Sequence, residues 1–93
     1  MKKSETREFD IANYLTSREL IAEYITQVLA DGDTDELLDA IGHIARARSM
    51  TKVADETGLK RESLYKSLKA GANPKFDTVV KVLNSFGVQL QAV

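Results

Sequence analysis

The sequence predicts an all-α fold in a single domain of five helices. Three observations predict it. Apolar residues recur at helical spacing in three stretches, capping residue types stand before the first two, and glycines close three of the five helices. At 93 residues the chain is long enough for one compact domain and too short for two. Hydrophobic residues make up 43% and charged residues 29%, the balance of a globular rather than a disordered chain. A domain this short buries only about 60–65% of its unfolded surface, so a partner subunit would add materially to its stability.

Residues 1–9 are polar and lack sustained periodicity, so residues 1–15 read as a partly ordered N-terminal segment and 16–93 as the domain. The first helix is announced by Thr16-Ser17-Arg18-Glu19, a capping-box pattern in which Thr16 is the N-cap and Glu19 follows three residues later. Leu20, Ile21, Tyr24, Ile25, Val28 and Leu29 form its apolar stripe, and Asp31-Gly32-Asp33 stops it. A second helix starts at Asp33, with Glu36 at the capping-box position, and turns Leu37, Leu38, Ile41, Ile44, Ala45 and Arg48 to one side. His43 falls on the opposite, solvated face. Ser49 and Met50 break this helix, and Thr51 caps a short third one over Lys52 to Thr57, ended by Gly58. The fourth runs from Lys60 or Arg61 to Ala70, and Gly71-Ala72-Asn73-Pro74 is a loop. The fifth runs from about Phe76 to Phe86, with Val79, Val82, Leu83 and Phe86 on one face and Gly87 as its stop. Val88 to Val93 largely alternates apolar and polar residues, the period of a half-buried strand. Two outcomes stay open: an irregular tail packed on the core, or a short C-terminal strand paired with another chain.

Several function classes fall away. No cysteine is present, which excludes disulfides and thiolate metal sites, and His43 is the lone histidine. No Ser/His/Asp set, metal-ligand cluster or phosphate-cradling loop appears, so neither an enzyme nor a cofactor is expected. No apolar run approaches the roughly 20 residues that cross a bilayer, and residues 1–7 lack the apolar core of a signal peptide. The expected location is the cytoplasm.

A net charge of −1 argues against a nucleic-acid binder until its distribution is considered. Residues 1–45 hold four Lys/Arg and ten Asp/Glu, whereas residues 46–93 hold nine and four. The chain is therefore a dipole, with an acidic front half at −6 and a basic back half at +5.

The basic half contains the segment Met50 to Lys69, which has helix-turn-helix spacing. Ala54 is small where the next helix crosses, Gly58 supplies the positive φ of the tight turn, and Leu59 plugs the space beneath it. Leu64 anchors the following helix against Val53. Ser67 stands where an apolar residue is usual and Leu68 follows, so the buried stripe is Leu64–Leu68 with the helix rotated slightly. The outer face then displays Arg61, Glu62, Tyr65, Lys66 and Lys69. Arg61 and Lys66 are the candidates for base edges in the major groove, with Ser63 and Tyr65 as secondary ones. Thr51, Lys52, Lys69 and Lys75 are placed for phosphates, and Lys60 at the corner completes the expected DNA-binding set.

The runs Leu38 to Met50, Thr57 to Leu68 and Gly71 to Leu83, with Phe9 to Leu15 ahead of them, resemble the addiction-module antidote proteins. These are HigA-like antitoxins of the Cro/lambda-repressor helix-turn-helix superfamily, and the resemblance spans roughly residues 9–90. Ala72 stands where relatives often carry glycine, leaving Gly71 to supply any positive φ in that loop. The resemblance implies a five-helix, lambda-repressor-like domain that dimerises on a palindromic operator in double-stranded DNA and neutralises a toxin similar to the RelE/ParE group. The acidic front half suits a basic toxin, and Phe9, Ile11, Tyr14 and Leu15 are candidate contacts to it. By elimination, the homodimer surface is expected at Val80, Phe86 and the Val88–Leu90 tail. The competing readings are a stand-alone phage-type repressor and a helical protein-binding adaptor without DNA affinity.

Overall fold

The computed structural model describes residues 17–91. Their order is α1 (Arg18–Asp31), α2 (Thr34–Arg48), α3 (Met50–Thr57), α4 (Arg61–Ser67) and α5 (Phe76–Ser85). The all-α, five-helix expectation holds, and no strand forms among the described residues.

The first cap differs from the expected one. Ser17 is the N-cap of α1, its Oγ accepting from the Leu20 N–H at 3.1 Å, while Glu19 pairs with its neighbour Arg18 instead. Asp33 caps α2 as expected, accepting from the Glu36 N–H at 3.2 Å. Ser49, not Thr51, caps α3. It takes φ 90°, the one positive φ on a described non-glycine residue, and its Oγ accepts from the Lys52 N–H at 3.3 Å. That kink lets α3 begin two residues early and drives Met50 into the core, 3% exposed. Helix α4 is shorter than expected, ending at Ser67, because Leu68 leaves helical geometry at φ −102° and ψ 63° to bury its side chain.

One apolar core joins all five helices. Ile21 and Ile25 of α1 meet Ile41, Ile44 and Ala45 of α2, Met50 and Val53 of α3, Leu64 of α4 and Val82 and Leu83 of α5. Arg48 lies half-buried with its guanidinium 5.7 Å from the Phe86 ring centroid, a cation–π contact that accounts for its place on the inner face. Val88 is buried too, and its N–H donates to the Leu83 carbonyl at 3.0 Å. Through residue 91 the tail is irregular, and its Val88 packs on the core. Phe86 and Val88 are 3% and 5% exposed, so they belong to this chain's own core and not to a dimer surface. Val80, Gln89 and Leu90 of that expected surface retain exposure.

Candidate nucleic-acid interface

The corner between α3 and α4 is built from its own side chains. Gly58 adopts φ 75°, a conformation a Cβ would resist, and its N–H donates to the Ala54 carbonyl at 2.9 Å. Thr57 adds a device with no sequence signal. Its hydroxyl donates to the Val53 carbonyl at 2.8 Å and accepts the Leu59 N–H at 3.3 Å, tying the last turn of α3 to the corner. Leu59 is half-buried beneath it, and Leu64 and Leu68 are 0% and 1% exposed. The inner stripe of α4 is therefore Leu64–Leu68, as the spacing predicts.

With that stripe buried, Lys60, Arg61, Ser63, Tyr65, Lys66 and Lys69 all face solvent, as do Thr51 and Lys52 in the first turn of α3. Arg61 and Tyr65 are brought together, the guanidinium 5.4 Å from the ring centroid one turn along the helix. This stacking restricts two otherwise free side chains before any ligand arrives. Lys75 is the N-cap of α5, exposed between Pro74 and Phe76 and without a side-chain capping bond. Phe9, Ile11, Tyr14 and Leu15 lie outside the described residues.

The exit of α4 is held by residues the sequence did not single out. Asp39 Oδ1 accepts the Ala70 N–H at 2.8 Å, and Asp35 Oδ1 accepts the Gly71 N–H at 2.8 Å. One turn further along α2, the Leu68 carbonyl oxygen occupies the space a Cβ on Gly42 would need. Residues 35, 39 and 42 share one face of α2, so the chain leaving α4 is laid back along that helix. Gly71 then takes φ 85° to enter the loop, the role expected of it. Asp39→Ala should remove a charge-assisted bond in a partly exposed setting and cost about 1 kcal/mol by denaturant unfolding. Asp39→Asn, which keeps an acceptor oxygen, should cost less.

Among the described residues no group of His, Asp or Glu is arranged to hold a metal, and no helix is long and apolar enough to cross a membrane. His43 is exposed, with Arg46 Nη2 3.0 Å from its Nδ1, a surface contact on α2.

Residues 5–93 match the model of a family described as "Probable addiction module antidote protein". The chain belongs to the addiction-module antidote family. A protein of Haemophilus influenzae, described as "Uncharacterized protein", is 41% identical to it over 87 residues, covering 94% of this chain and 90% of that one. No solved structure matches. Members of an antidote family stand on the antitoxin side of a toxin–antitoxin module and are not generally catalytic, so a toxin is the general class of partner.

Proposed function

We propose that this antidote-family chain is a DNA-binding antitoxin of a type II module, HigA-like and of the Cro/lambda-repressor helix-turn-helix class. It represses its own operon from the cytoplasm as a homodimer and neutralises a RelE/ParE-like toxin. The observation that carries the DNA reading is the α4 surface: a cationic helix held on a glycine corner, its apolar stripe fully buried and Arg61, Tyr65 and Lys66 in solvent. Between residues 46 and 69 seven Lys/Arg stand against Asp55, Glu56 and Glu62, so charge and motif coincide. Residues 16–93 form the DNA-binding domain in this reading, and residues 1–15 a separate segment whose Phe9, Ile11, Tyr14 and Leu15 contact toxin.

In the complex the start of α4 enters the major groove. Arg61, already stacked on Tyr65, donates to a guanine edge, while Thr51, Lys52 and Lys69 fix register through phosphates. Symmetric partners would set their α4 helices about 34 Å apart, matching half-sites one turn apart.

Binding to the DNA upstream of the module, followed by fluorescence anisotropy across a salt series, tests this. Arg61→Ala is expected to cost about 1–3 kcal/mol and to relax specificity at one base pair. Lys52→Ala is expected to weaken all sequences alike and to reduce the salt slope by about 1. A wild-type chain with no salt-dependent affinity for any duplex would leave the adaptor reading in its place.

A further inference from the structure

Four large hydrophobic side chains are prominently exposed among the described residues: Leu29, Tyr65, Phe76 and Leu90. Tyr65 belongs to the α4 face. The other three, at 45%, 73% and 42% exposure, gather on one groove of about 290 Å³ where the end of α1 and the start of α2 meet the loop before α5. Leu37, Pro74 and Val79 complete its wall. Scattered apolar side chains on a surface need no explanation, but three converging on one concavity mark an interaction site.

The charge around the groove selects its occupant. Residues 31–39 carry Asp31, Asp33, Asp35, Glu36 and Asp39 and no Lys or Arg, and Leu37 of the wall comes from this same stretch. Lys75, exposed between Pro74 and Phe76, adds one positive charge beside these two wall residues. A second copy docking symmetrically through this face would bring Asp31, Asp33 and Glu36 near their own counterparts, Asp35 and Asp39 being turned to the backbone of residues 71 and 70. A basic protein with an apolar side chain to insert meets both features at once.

We propose that this groove, next to the acidic stretch 31–39, is the docking site for the basic toxin partner, Phe76 and Leu29 being the apolar anchors. The proposal rests on the toxin reading above. It leaves α3 and α4 uncovered, so one chain can hold the partner and a duplex on different elements.

The test is calorimetric titration of the full chain with the purified protein encoded beside it. Phe76→Asp and Leu29→Asp place a charge on exposed positions, and helical circular dichroism checks that the fold is retained. Should Phe76→Asp disturb it, Leu90→Asp repeats the test from the tail. Either anchor variant is expected to weaken the partner about 30-fold or more while leaving operator affinity unchanged. Glu36→Lys is expected to slow association and flatten its salt dependence. A complex indifferent to all these changes overturns the groove assignment and leaves the toxin reading standing. No complex with the wild-type chain overturns both. If Phe76→Asp instead abolishes a dimer in sedimentation, a second copy is the occupant. If Phe9→Asp and Phe76→Asp lower the melting point of the free chain non-additively, residues 1–16 are. Either result overturns the proposal.

Discussion

Leu64→Ala is expected to cost about 2–5 kcal/mol of folding stability, because it empties a fully buried site in a close-packed core. Single domains unfold with about 5–15 kcal/mol in total, so this loss is a large share. It corresponds to a fall in Tm of about 10–30 °C for a domain of this size. The effect is also functional. Leu64 and Leu68 are the two points that fix the rotation of α4, and Tyr65 and Lys66 follow Leu64 directly in the chain. Denaturant unfolding measures the loss; a cost under about 1 kcal/mol, the range of surface substitutions, would mean that Leu64 does not anchor the helix.

Gly42→Val is expected to be of similar gravity for the opposite reason. Any Cβ at this position meets the backbone carbonyl of Leu68, and a backbone atom cannot rotate away as a side-chain tip would. Overpacking costs about 1–3 kcal/mol, occasionally more. Replacing glycine within a helix normally gains up to about 1 kcal/mol, most of it for alanine and less for β-branched valine. The steric term therefore wins for valine, and Gly42→Ala falls between wild type and Gly42→Val. Relief of the clash pushes the end of α4 off α2 and carries Lys66 and Lys69 with it. Operator affinity should drop even at temperatures where circular dichroism reports a folded chain. An unchanged affinity and melting point would show that the two segments separate freely.

The α4 face was legible before the structure because each of its signals is local. Gly58 declares the corner, and the Leu64–Leu68 spacing settles which side is buried, so Arg61, Tyr65 and Lys66 are outward by geometry alone. Lys75 was grouped with them on charge, and it stands at the N-cap position of α5. The groove itself was not legible. Leu29 and Phe76 each sit on an apolar stripe or beside one, and nothing in the order of residues says that Leu90 comes to line the same concavity. The dimer surface expected at Phe86 and Val88 was misplaced for a related reason: an apolar residue after a helix reads the same whether it turns inward or waits for a partner.

The amino-acid order determined the number of helices, the caps at Asp33 and Gly58, the buried stripes and the split of charge between the two halves. All depend on residues within a turn or two of one another, where backbone sterics and side-chain reach decide the outcome. The tertiary structure alone decided the early end of α4, the service of Asp35 and Asp39 as acceptors for residues 71 and 70, and the need for glycine at 42. Those partners lie 36 and 31 positions apart in the chain. A carboxylate on a helix face looks solvated until packing brings a second segment within hydrogen-bonding distance of it.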